Sequence, residues 1–156
     1  MPDLAILPGA GQVPVFASVE DPADRLSWLE PPPAALPAGA VPYRALLRFG
    51  AADPVTPFLY IVEQDADPAE EAELNAWYAQ EHMPRLAGVP GVVAARRYAA
   101  LDPAQSPRYL AAYWLERREA FESPAWIEAR VTPWTARART FFRNPRRIMR
   151  RLEDTP

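Results

Sequence analysis

The sequence predicts an α+β fold: a ferredoxin-like βαββαβ domain with an antiparallel sheet over residues 57–156, preceded by a proline-rich extension over residues 1–56. Three observations carry this reading. Runs at Phe58–Glu63, Val92–Tyr98 and Arg108–Glu116 are rich in β-branched and aromatic residues and are of strand length. Helical stretches open on a cap residue followed by proline, at Asp67-Pro68, Ser123-Pro124 and Thr132-Pro133. In the first 57 residues, by contrast, eleven prolines cut every periodic pattern short.

Taken in order, the extension offers short strands at Val13–Phe16 and Tyr43–Phe49. A short helix is expected over Asp21–Leu29, with Asp21 as N-cap and Pro22 at the first helical position. Pro31–Pro37 reads as an extended connector. Trp28, Leu46, Leu47 and Phe49 are costly to leave in water, so the extension is expected to pack on the main domain. A disordered arm is the alternative.

Phe58–Glu63 is apolar on both alternating faces, the pattern of a buried strand. The helix after it should run from about Pro68 to Met83 or a little beyond, with Glu70, Glu71 and Glu73 near the positive end of its dipole. Leu74, Tyr78 and His82 recur four residues apart and share a buried stripe with Trp77. Pro84 removes a donor and crowds the preceding turn, so the helix should kink or end there. Gly88-Val89-Pro90-Gly91 is a turn. Val92–Tyr98 then places Val92, Ala94, Arg96 and Tyr98 on one face. The next strand sets Tyr109, Ala111, Tyr113 and Leu115 against Leu110, Ala112 and Trp114. Helices are expected over Ala125–Arg130 and Trp134–Phe142, with Pro145 breaking the second, and Arg147–Leu152 closes the pattern as a strand near an edge. Two helices cover one face of such a sheet, yet the first and third strands are apolar on both. The extension is too short to supply a second complete copy, so two chains are expected to pack their sheets face to face as a homodimer.

Composition narrows the chemistry. A chain of 156 residues is the size of one domain, and without Cys it has no disulfide or thiolate metal site. A single His leaves only carboxylates to complete a metal site, so none is expected. No apolar window approaches the roughly 18 residues of a membrane span and no signal-peptide pattern opens the chain, so a cytoplasmic protein without a membrane partner is expected. No phosphate-cradling glycine loop or nucleophile elbow is present. The net charge of -3 hides an asymmetry: Arg130 to Arg151 contains eight Arg and no acid. Interleaved with Trp134, Phe141 and Phe142, these charges suit a nucleic acid. The plainer reading, a helix burying its aromatics while its arginines face water or pair with the acidic Asp65–Glu73 stretch, is preferred.

Asn75-Ala76-Trp77-Tyr78, Glu81-His82-Met83-Pro84, Val89-Pro90-Gly91 and Ala95-Arg96-Arg97-Tyr98 resemble the pattern of the EthD-like branch of the dimeric α/β-barrel superfamily. Ser123-Pro124-Ala125-Trp126 and Thr132-Pro133-Trp134-Thr135 are similar to that branch as well. The resemblance covers roughly residues 57–152 and leaves the first 56 unmatched. It implies ferredoxin-like protomers pairing as a dimeric α/β barrel around a cavity, with the helix-borne His near its mouth. The superfamily includes cofactor-independent cyclases, dehydratases, isomerases and monooxygenases beside haem-binding branches, so it speaks to fold better than to reaction.

His82 is the one side chain whose ordinary pKa lies near neutrality, which makes it the candidate catalytic acid/base. The plainer reading is that it bonds a carbonyl or Glu81 and caps the helix end. Tyr60, Trp77, Tyr78, Tyr98 and Tyr113 are candidates to bind a phenol, ketone or lactone, with Tyr109 and Trp114 as further aromatics of the same kind. Arg96 and Arg97 point to opposite strand faces, and Arg96, on the Tyr98 face, is the candidate to hold a carboxylate or enolate oxygen. The expected function is cofactor-independent proton transfer, of isomerase, cyclase or dehydratase type, on a small apolar carbonyl or aromatic compound. A haem-dependent monooxygenase or haem-binding protein, with His82 as axial ligand, and a non-catalytic small-molecule-binding dimer are the alternatives.

Overall fold

The computed structural model describes residues 1–153 and shows an eight-stranded antiparallel barrel closed within one chain. The strands are β1 (Leu4–Pro8), β2 (Val15–Ser18), β3 (Arg25–Leu29), β4 (Val41–Gly50), β5 (Phe58–Ala66), β6 (Val92–Ala100), β7 (Tyr109–Leu115) and β8 (Phe142–Leu152). Around the barrel they run β1-β3-β2-β8-β5-β7-β6-β4. The stretch β8-β5-β7-β6 is the expected βαββαβ sheet, with Tyr60 of β5 facing Tyr113 of β7 on one side and Met149 of β8 on the other. The ladder continues past both edges of that sheet. β2 pairs with β8, β4 pairs with β6, and β1 and β3 complete the ring.

This corrects the reason given for a dimer. The inner face of the β5–β8 sheet is covered by the chain's own N-terminal strands: Leu4, Ile6, Phe16, Leu26, Trp28 and Tyr43 bury against Leu59, Ile61, Tyr98, Leu110, Ala112 and Trp114. Four strands without helices suffice to close the barrel, so a complete second copy is not required. The 56/57 boundary marks a change of sequence pattern rather than a division of the core.

The helix expected over Asp21–Leu29 is a turn followed by β3. Asp21 Oδ1 accepts from the Ala23 amide at 3.2 Å and the Asp21 carbonyl from the Asp24 amide at 2.9 Å, a local turn that competes with helix initiation. Leu26 and Trp28, two residues apart, then point into the barrel as a strand requires. Leu47 and Phe49 are partly buried as expected, while Leu46 is exposed. β8, expected as Arg147–Leu152 near an edge, is longer than expected and internal, lying between β5 and β2. Its Pro145 falls within a register shift opposite Glu63 and Asp65, with Asn144 at φ 50°, so the bulge accommodates a residue that cannot donate to the ladder.

On the outer face, α1 (Glu71–Trp77) starts later than expected, because Asp67 caps a preceding turn instead. The chain then passes through one π-helical turn, Tyr78–His82, into α2 (Met83–Ala87). The Met83 amide donates to the Tyr78 carbonyl five residues back. Pro84 therefore neither ends nor breaks the helix; widening one turn absorbs its missing donor and its bulk. α3 (Pro124–Ala129) and α4 (Pro133–Ala138) begin where the caps predict: Ser123 accepts from the Trp126 amide at 3.2 Å and Thr132 from the Thr135 amide at 2.9 Å. α4 ends four residues before the expected Phe142, in a 3-10 turn. Among the described residues no helix is long and apolar enough to cross a membrane.

Candidate functional site

Alternation along β5, β6 and β7 sorts the candidate side chains into two environments. Tyr60, Trp77, Tyr78, His82 and Tyr113 lie on the helix side of the sheet. Arg96, Tyr98 and Trp114 point to the barrel side. The six residues grouped with His82 by sequence are thus divided by the sheet, and His82 does not face the barrel interior.

The barrel side holds the larger space, about 840 Å³ at one open end, lined by Trp28, Glu30, Arg48, Arg96 and Trp114 among others. Its chemistry is already committed. Arg96 Nη1 donates to Glu30 Oε1 at 2.7 Å, and its Nη2 bonds the Ala51 carbonyl at 3.1 Å and that of Ala52. Tyr98 donates to the other Glu30 oxygen at 2.7 Å. Burial first, then the Glu30 charge, pushes the Tyr98 phenol far above its usual range. The expected role of Arg96, gripping a ligand oxyanion, is therefore filled by the chain's own Glu30.

On the helix side the π turn sets the geometry. Trp77 and His82 are five residues apart, about 140° around an ordinary α-helix, and the wider turn brings them onto one side. The two rings stack with centroids 4.0 Å apart and planes 17° apart, while Tyr78 meets the imidazole edge-on at 5.2 Å. Trp77 is itself held from α4, donating to Thr135 Oγ1 at 3.3 Å. Thr132 donates to Glu81 at 2.7 Å, so Glu81 is engaged elsewhere and the plainer role for His82, a bond to Glu81, does not occur. His82 is 8% exposed and its Nδ1 has no hydrogen-bond partner. The Tyr113 hydroxyl and the Trp126 indole N–H, in the same pocket, are likewise buried without partners. One edge of the pocket carries Arg130, Arg139 and Arg147, and its enclosed volume is about 30 Å³.

Burial is the larger cause, with the charges of Arg130, Arg139 and Arg97 behind it, of a His82 pKa pushed down from 6.5 to about 3. The imidazole is neutral throughout the neutral range. A histidine held neutral in the fold and free to protonate when unfolded makes stability fall as pH drops through the window from about 6.5 to about 3. Between pH 6.5 and 5 the expected loss is about 1.5 kcal/mol. Urea titrations of the wild type and His82→Gln across that interval check it: the loss should vanish in the variant.

Arg97, 1% exposed, lies on the same side of the sheet between the rings of Tyr78 and Tyr109, at 4.1 and 4.4 Å from their centroids. It donates to Asn75 Oδ1 at 2.5 Å, while its Nε and Nη2 are buried without partners. Tyr109 is tied to Glu71 rather than to the pocket. The residues that sequence reasoning missed here are Trp126, Arg130, Arg139 and Arg147, and the signal for the three arginines was the acid-free run that holds them. Part of that run does pair with acids as expected, Arg137 with Glu73 at 2.7 Å and Arg143 with Asp67 at 2.5 Å, while Arg146 and Arg150 reach Asp24.

No protein-family model matches the sequence, and no curated protein matches it. Among solved structures, the chain is similar to a protein described as a major regulator of staphylococcal pathogenesis, with a TM-score of 0.72 at 11% identity over 97% of this chain and 99% of that one. It is similar to a ferredoxin-fold protein of Listeria monocytogenes related to antibiotic biosynthesis monooxygenases, TM-score 0.64 at 12% identity over 99% and 97% of the two chains. A haem-degrading enzyme of Listeria monocytogenes matches with a TM-score of 0.62 at 10% identity over 96% and 99%. At such identities the likeness concerns architecture alone: the chain has a ferredoxin-like α+β fold, here with the barrel closed by a single chain.

Proposed function

We propose that the pocket between the sheet and the helices binds a small aromatic or carbonyl compound, and that His82 transfers a proton on it without a cofactor. The observation that carries this reading is a buried, neutral imidazole with an unpartnered Nδ1, in one pocket with two other unpartnered polar groups, Tyr113 Oη and Trp126 Nε1. Buried polar groups are ordinarily paired, and a cluster of exceptions in one pocket points to a ligand that pairs them. In the proposed step a C–H bond next to the carbonyl breaks and its proton passes to the imidazole. The electron pair moves onto the carbonyl oxygen, where the Tyr113 hydroxyl and the Trp126 N–H are the donors at hand. Returning the proton to a different atom completes an isomerisation.

The closed pocket has about the volume of one water molecule in the liquid. Arg139 and Arg147 are exposed and free to swing aside, which would open it to a single ring. A haem macrocycle would also require the buried Tyr113 and Trp126 to move, so the residues present do not fit that group, although one protein of similar fold is a haem-degrading enzyme. The EthD-like resemblance belongs to this proposal through Trp77-Tyr78 and Glu81-His82-Met83-Pro84, as does a cytoplasmic setting. A homodimer, tested by light scattering, would use outer surfaces because the chain's own strands close the barrel.

Deuterium uptake by phenylacetone in D2O measures the proposed step. The wild type should accelerate it, with His82→Gln slower by about 100-fold or more. Equal rates in the two proteins, both folded by circular dichroism, would remove the catalytic role.

A further inference from the structure

Of the arginines at the surface, Arg44, Arg85, Arg118 and Arg151 pair with no carboxylate among the described residues, while Arg25, Arg48, Arg108, Arg117, Arg137, Arg143 and Arg146 each form an ion pair. Arg130, Arg139 and Arg147 do not, among the described residues, and these three come from different elements to border one pocket. Arg130 follows α3, Arg139 follows α4, and Arg147 lies on β8, where its guanidinium stands 5.8 Å from the ring of Phe142. No carboxylate lines the pocket. Three like charges brought together without a counter-charge carry a standing electrostatic cost that a bound anion would relieve.

Beneath them the pocket is aromatic. Tyr60, Trp126 and Phe142 line it, and the unpartnered Tyr113 hydroxyl and Trp126 N–H are both able to donate. Positive charge at the mouth, donors at depth and aromatic walls between them describe a complement for one kind of molecule.

We infer that the pocket takes an aromatic carboxylate, whose ring lies among Tyr60, Trp126 and Phe142 and whose oxygens are held by Arg130, Arg139 and Arg147 beside His82. The inference rests on the reading of this pocket as a ligand site and adds the ligand's charge to it.

The same arrangement would couple binding to the state of the imidazole. The groups facing His82 are Arg97, Arg130, Arg139 and Arg147 with the phenols of Tyr60, Tyr78 and Tyr113, and Glu81 is bonded to Thr132. Repulsion by Arg130 and Arg139 adds to burial in depressing the basicity of His82, and burial first, then repulsion by Arg130 and Arg147, lowers the pKa of Arg139. A carboxylate seated among these arginines cancels part of that field. The ligand would thereby raise the basicity of the imidazole when a base is needed.

His82 is the only histidine, so 13C-histidine labelling yields one imidazole signal to follow. The probes are benzoate and its neutral counterpart benzamide, titrated at constant ionic strength into the wild type, Arg139→Gln, Arg147→Gln and the double variant. Benzoate is expected to shift the His82 signal with an affinity at least tenfold above that of benzamide. Each exposed arginine lost should weaken benzoate about fivefold and leave benzamide unchanged, and saturating benzoate should move the His82 titration midpoint up by at least one unit. Benzamide shifting the signal as strongly as benzoate would overturn the inference while leaving the pocket as a ligand site. Benzoate affinity indifferent to both arginines would also overturn it, since the anion would then be binding elsewhere. A His82 signal that neither probe moves would overturn the charge assignment and the pocket reading together.

Discussion

Glu30→Ala is expected to destabilise the fold by about 3–5 kcal/mol, because it strands a buried guanidinium. Glu30 is one side chain serving three others: Arg96 at 2.7 Å, the Tyr98 hydroxyl at 2.7 Å and the Trp28 indole N–H at 3.2 Å. Arg96 and Tyr98 belong to β6, while Glu30 follows β3, so the contact ties the N-terminal strands to the βαββαβ sheet. Removing the carboxylate leaves Arg96 charged in the barrel with only carbonyls as partners. Removing both ends should cost less than the sum: Glu30→Ala with Arg96→Met is expected to be more stable than the additive value by 1 kcal/mol or more, measured as a coupling in urea denaturation. A Glu30→Ala midpoint within error of the wild type would show that Arg96 does not depend on this partner.

Trp28→Ala is expected to cost a further large increment, about 3–5 kcal/mol. Trp28 is almost fully buried and packs edge-on against Tyr98 at 5.8 Å and Trp114 at 5.4 Å, inside the barrel rather than on its outside. A wrapped arm would tolerate this truncation, losing local contacts while the ferredoxin-like half stayed folded. A shared core predicts one cooperative transition shifted as a whole, by tryptophan fluorescence and far-ultraviolet circular dichroism alike. Two separated transitions would instead mark residues 1–56 as an independent layer.

The fold of the C-terminal two thirds was legible because its signals are local. Caps at Ser123 and Thr132 and the alternation along β7 act within a few residues, and each appears where the sequence places it. The N-terminal third was harder. Asp21-Pro22 carries a helix-start pattern, but the strand that follows is decided by Leu26 and Trp28 finding a barrel interior, which no local pattern reveals. Pro84 was read as a kink or an end of the helix, as a proline normally is, and the π turn that accommodates it depends on packing against Trp77 and α4.

His82 was legible by elimination as the one near-neutral acid/base group, and Arg96 by strand parity as the inward arginine. Their settings were not. Glu30 is 66 residues from Arg96, and Arg130, Arg139 and Arg147 meet only because α3, α4 and β8 converge over one sheet face. What the sequence determined by itself was the order of elements from residue 58 onward, the two faces of those strands and the singular position of His82, all consequences of period and spacing. Tertiary structure alone decided that one chain closes the barrel, that Arg96 is neutralised from within, and that His82 stands beside uncompensated positive charge, because each is a contact between segments far apart in the chain.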